Sequence, residues 1–149
     1  MPRTPPYTRM VLIPLVCALA VAAGTVQSAS GMTRKEKKLL AAVNRTRDNH
    51  GLRRLRVRGT LQRGAHSWAV FLQRRNAFYH GRVSTETSEN IGWLTCRRHW
   101  SRVLVRWWLD SRAHRVNMLD RSARYIGVGV AKGSYSRYPC TLMAVTRFR

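Results

Sequence analysis

Two histidines and one glutamate stand where this chain could do chemistry. His80 ends the segment Phe78-Tyr79-His80, and Glu89 lies in Ser88-Glu89-Asn90-Ile91-Gly92. His114 lies in Trp108-Leu109-Asp110-Ser111-Arg112-Ala113-His114-Arg115-Val116-Asn117-Met118-Leu119. Unprotonated imidazoles are good ligands for zinc and similar ions, and a carboxylate beside them can orient bound water or accept its proton. The same residues also have a structural use: His80 could cap a helix, Glu89 could satisfy buried amides, and His114 could hydrogen-bond to a neighbour. Nucleophilic catalysis has no support. Ser111 precedes His114 by three residues, but there is no Gly-x-Ser-x-Gly elbow, and neither Cys96 nor Cys140 sits in a thiol-protease signature.

The elements that must position these residues follow from periodicity. Thr33-Arg34-Lys35-Glu36 is a capping box opening a first helix, with Leu39, Leu40, Val43 and Thr46 on one face and a stop at Asn49-His50-Gly51. Leu52, Leu55 and Val57 read as a short extended link. A second helix over 60–75 carries Leu61, Ala65, Trp68, Ala69 and Leu72 on one face and leads into His80. A polar loop over 81–88 precedes a brief strand over 89–93. Helices over 97–109 and 113–119 follow, and then strands over 125–132 and 141–148 joined by a turn-rich connection over 133–139.

Other eye-catching residues read as packing. Trp100, Trp107 and Trp108 keep helical spacing with aliphatics, which predicts core. His50 suits a helix C-terminus, where the dipole favours a cation. His66 and His99 fall on Arg-rich faces and read as solvated. The amide of Asn117 is expected to satisfy backbone.

Residues 1–30 read as a secretory signal peptide. Arg3 and Arg9 precede an apolar run over 11–23 that is interrupted by Pro14, and Ser28-Ala29-Ser30 offers small residues for cleavage before Gly31. The run is too short for a comfortable membrane span, although an uncleaved anchor is the rival reading. Residues 31–149 then make one ordinary domain, secreted and expected to be monomeric. Removing Cys17 with the leader leaves Cys96 and Cys140. An even pair in an exported chain favours one disulfide, the alternative being two buried thiols. The formal charge is +22, and 24 of the 28 basic residues are arginine. Such a surface is drawn to anionic envelope polymers or lipids, though a compositional bias toward Arg would look the same. No helix-turn-helix, zinc-finger spacing or aromatic RNA-binding motif is present, so specific nucleic-acid recognition is not expected.

With Ile126-Gly127-Val128-Gly129 following the last His segment, these motifs in this order resemble the CAP superfamily. This is the SCP domain of cysteine-rich secretory, antigen-five and plant pathogenesis-related proteins, and its bacterial secreted branch is the nearest likeness. The resemblance spans about residues 39–148. It implies an α+β fold, a three-layer α-β-α sandwich with a small antiparallel sheet flanked by helices. It also implies that His80, Glu89 and His114 meet in an open cleft. His80 and His114 would then be the metal ligands, for Zn2+ or another divalent ion, and Glu89 the general base. Many relatives add a second carboxylate where alignment places Ser111, and a histidine where this chain has Trp68. Two histidines without a third protein ligand would hold zinc only weakly. Two functions follow: a binding module engaging an anionic or lipidic partner, or a metal-assisted, peptidase-like hydrolase.

Overall fold

In a computed structural model of the protein, residues 31–149 are described; the leader and Cys17 lie outside them. The order is α1 (Arg34–Asn49), β1 (Arg56–Val57), α2 (Gly59–Arg74), β2 (Ser88–Thr95), α3 (Trp100–Asp110), α4 (Arg112–Met118), β3 (Tyr125–Tyr135) and β4 (Tyr138–Phe148). The capping box forms as read: Glu36 N–H donates to the Thr33 hydroxyl at 3.2 Å, and Thr33 N–H donates to the Glu36 carboxylate at 2.7 Å. The first helix ends at Gly51, whose φ of +63° is a left-handed conformation that only glycine adopts freely.

The four strands lie in the order β1-β3-β4-β2, which leaves β2 on an edge. The sheet is mixed rather than purely antiparallel. The stretch read as an extended link supplies β1, which pairs parallel with β3 through Arg56–Tyr125 and Val57–Ile126. β3 and β4 form a longer hairpin than their alternation suggested, and most of the expected connection over 133–139 is strand. The turn itself is Ser136-Arg137, with Ser136 at φ 53°.

Helices cover both faces, giving the α-β-α sandwich. On one face Leu39 and Val43 of α1, Leu104 and Trp108 of α3, and Met118 of α4 pack against Ile126, Val128, Leu142, Ala144 and Phe148. On the other, Ala65, Ala69 and Leu72 of α2 pack against Ile91, Met143 and Val145. The strand residues alternate between the two faces, as a pleated strand requires. Arg47 is fully buried. Its Nε donates to Arg53 O at 2.8 Å, and its Nη1 to Met118 O at 2.8 Å and Asp120 O at 3.0 Å. It thereby ties the end of α1 to the segment after α4.

Three local readings are corrected. α3 begins at Trp100 because His99 takes a left-handed φ of 58°, which keeps Arg97 and Arg98 out of the helix. Trp107 is 48% exposed: on α3 it points away from Leu104 and Trp108, which take the core. His66 is half exposed but not merely solvated, since its Nδ1 lies 2.7 Å from Oε1 of the fully buried Glu36.

Cys96 and Cys140 form a disulfide with Cα atoms 5.4 Å apart, joining the end of β2 to β4. The bridge closes a sequence separation of 44 residues. On the chain-entropy account such a loop is worth roughly 4 kcal/mol. Cys140→Ser should therefore lower the thermal midpoint clearly, and an unchanged midpoint would contradict that weight.

Candidate functional site

The candidate residues lie on and around edge strand β2, whose neighbouring residues point to opposite faces. Glu89 shares the α2 face with Ile91, while Asn90 points to the α3/α4 face. Glu89 is buried, its side chain 2% exposed, and both of its oxygens are occupied. Oε1 accepts from the Gly81 amide at 2.9 Å and lies 3.0 Å from Nδ1 of His80; Oε2 accepts from Nε of Arg147 at 2.9 Å. His80 itself is exposed, in the loop that follows α2.

His114 approaches from α4, on the other face. Asn90 Nδ2 donates to His114 O at 3.0 Å, and Asn117 Nδ2 donates to Asn90 Oδ1 at 2.8 Å and more distantly to Glu89 O at 3.4 Å. The Asn117 amide thus spends its better bond on a side chain rather than on backbone. The His114 ring packs near the Trp108 indole, whose Nε1 donates to Ile91 O. Ser111 is the hinge between α3 and α4. Its amide bonds Trp107 O and its carbonyl accepts from Arg115, but its hydroxyl caps neither helix. Trp68, on the apolar face of α2, is half buried. It stacks on Phe71 with centroids 4.9 Å apart and meets Tyr79 edge-on at 5.3 Å, building an aromatic wall beside Gly81.

His80 is close enough for its charge to act on His114. Burial first, and the nearby charge of His80 second, push the His114 pKa below its ordinary value. The sign of the consequence is fixed. The unfolded chain binds the His114 proton more readily than the folded one, so stability is full above about pH 6.5 and falls as pH drops below that value. His114→Gln should flatten the decline of the thermal midpoint between about pH 7 and 5; an equally steep decline would show that His114 does not cause it.

Among the described residues, no group of three or more His, Cys, Asp or Glu is placed to hold an ion. Glu89's oxygens already serve three donors, so the open positions reduce to the free imidazole nitrogens.

Arg147 was not anticipated from the sequence. It stands directly across from Glu89 in the β2–β4 register, and its side chain is 14% exposed. Its signal would have been the strand pairing: aligning β2 against β4 puts an arginine opposite the glutamate.

This architecture and these motifs define a CAP-type domain. The model of the cysteine-rich secretory protein family, CAP, matches residues 40–146, and the chain belongs to that family. No curated protein matches it. Among solved structures it is similar to an outer surface protein from Borrelia burgdorferi, with a TM-score of 0.58, 18% identity, and coverage of 78% of this chain and 93% of that one. It is also similar to an extracellular protein containing an SCP domain from Bacillus anthracis, with a TM-score of 0.56 and 19% identity over 76% of this chain. There the likeness spans only 39% of the other protein. MpPR-1i is a third, with a TM-score of 0.56 and 20% identity over 76% of this chain and 85% of that one. At these identities the likeness is one of fold. No helix among the described residues is long and apolar enough to cross a membrane.

Proposed function

We propose that this chain is an exported binding module that takes an anionic component of the cell envelope, either a polymer or a lipid headgroup. One observation carries the reading. Between α1 and α3 runs a groove of about 600 Å³ whose lining includes Lys38, Arg45, Arg97, Arg98, Arg102 and Arg106, with no carboxylate among the lining residues. Its floor holds Ala41, Ala42, Val105 and Leu109.

Five of the six acids are committed elsewhere, and the sixth, Asp110 at the end of α3, does not line the groove. Glu36 is paired with His66, Asp48 with Arg54, Glu86 with Arg149 and Glu89 with Arg147. Asp120 accepts from the amide and hydroxyl of Ser122. Arginine forks grip phosphate and carboxylate in a bidentate way that lysine does not. A field of one sign above an apolar floor suits an anion attached to hydrocarbon or polyol.

The leader read over 1–30 fits this role, with Gly31 as the first mature residue. So do the outer-surface and extracellular descriptions of two structural neighbours. The hydrolase reading is weaker here. A general base must be free to take a proton, and Glu89 is already held by a guanidinium, an imidazole and an amide, while Ser111 adds no second carboxylate. Any divalent ion would rest on His80 and His114 alone, and loosely.

The test is binding of the mature chain to vesicles. Retention on phosphatidylglycerol-containing vesicles but not on purely zwitterionic ones, reversed by salt, is the expected result. Equal behaviour toward both vesicle types would overturn the reading.

A further inference from the structure

Arg147, Glu89 and His80 lie outside the groove. We propose that Arg147 is the positioning residue for His80. The guanidinium fixes Glu89 so that the carboxylate holds Nδ1–H of His80, and His80 presents a bare Nε2 to whatever enters the cleft.

Three observations converge on this. First, the pair is built into the sheet. Glu89 and Arg147 face one another across β2 and β4, and Nε meets Oε2 at 2.9 Å with Arg147 only 14% exposed and Glu89 2%. Second, the guanidinium sits in a slot cut by two glycines. A Cβ on Gly64 would lie 2.5 Å from Nη1, and one on Gly81 would lie 2.6 Å from Nη2. Those distances are far inside ordinary contact, so with a side chain at either position the guanidinium would have to shift. Both glycines therefore serve the seating of this one side chain.

Third, the other carboxylate oxygen is turned toward His80. Oε1 lies 3.0 Å from Nδ1 and also accepts the Gly81 amide at 2.9 Å. An ionised carboxylate can only accept, so the imidazole nitrogen facing it must carry the hydrogen. In the neutral ring, Nε2 is then the acceptor. The arrangement matches the way outer carboxylates set the tautomer and orientation of working histidines. Without Arg147, Glu89 keeps a buried charge with its strongest partner gone. The Oε1 geometry is then no longer held, and His80 returns to the Nε2–H form that neutral histidine prefers in water. The cleft would offer a donor where the native protein offers an acceptor.

The experiment is a long-range proton–nitrogen NMR spectrum of the full chain at about pH 8, where an ordinary histidine is neutral. Wild type should show a protonated Nδ1 and a bare Nε2 for His80. Arg147→Met should exchange the two signatures, and Arg147→Lys, which restores a charged donor, should recover most of the native pattern. Gly64→Ala keeps Arg147 but fills its slot, so it should reproduce the exchange even if Arg147→Met fails to fold. His114 serves as the internal reference and should keep its tautomer throughout. A wild-type His80 protonated on Nε2 overturns the proposal. So does a folded Arg147→Met or Gly64→Ala chain in which His80 keeps Nδ1–H.

Discussion

Gly129→Ala is expected to cost about 3 kcal/mol or more, a large share of the roughly 5–15 kcal/mol that holds a typical domain together. The reason is a collision with backbone, which cannot swing away as a side chain can. A Cβ at Gly129 would lie 2.0 Å from Ala65 O and 2.4 Å from Ala65 C; at Gly127 it would lie 2.1 Å from the carbonyl of Leu61. The helix comes this close because β1 is only two residues long, so Val128 lies beyond the end of its pairing with β3. Gln62 of α2 takes the place of a strand partner. Its Nε2 donates to Val128 O at 2.7 Å, and its Oε1 accepts from Val128 N at 2.9 Å. The two glycines are thus the clearance that lets a helix cap a strand edge. Thermal or denaturant unfolding checks this, with Gly31→Ala as control because a Cβ there meets nothing within 4 Å. An unchanged midpoint for Gly129→Ala would contradict the packing described.

The Gly-Val-Gly segment also shows what can be read in advance. Its likeness to the family motif is visible in the sequence, as are the capping box at Thr33 and the periodic faces of α1, α2 and α3, because each is a local pattern. The length of the β3–β4 hairpin is not, since Gly133, Ser134 and Pro139 carry turn-like chemistry while tertiary pairing keeps them in strands. Likewise β1 owes its two residues to a parallel partner far along the chain, at Tyr125 and Ile126, which no local signal announces. Trp107 departs from its expected burial because helical spacing identifies a face but cannot say how wide the buried stripe is.

At the candidate site the same division holds. His80, Glu89 and His114 can be singled out by motif. Their arrangement depends on Arg147, on the two glycines of its slot, and on Asn90 and Asn117 bridging to α4, all of them contacts across long separations. The bond between His66 and Glu36 joins two helices and is invisible in the sequence for the same reason.

The largest effect on binding is expected from reversing charge in the groove. Arg102→Glu with Arg106→Glu turns two positive charges into two negative ones on the α3 wall. Near an anionic surface each basic residue contributes about 1 kcal/mol, so the double change should weaken binding by roughly 3–4 kcal/mol, a few hundredfold or more. Net charge alone cannot explain such a loss if an equal reversal elsewhere is tolerated. Arg74→Glu with Arg137→Glu provides that comparison, since both residues are exposed and neither lines the groove.

The most direct test is therefore the affinity for phosphatidylglycerol-containing vesicles, measured at one fixed ionic strength for wild type and for these two double variants. The account predicts near-native binding for Arg74→Glu/Arg137→Glu and a loss of at least about a hundredfold for Arg102→Glu/Arg106→Glu. Equal losses in the two variants, or no loss in the groove variant, would contradict it.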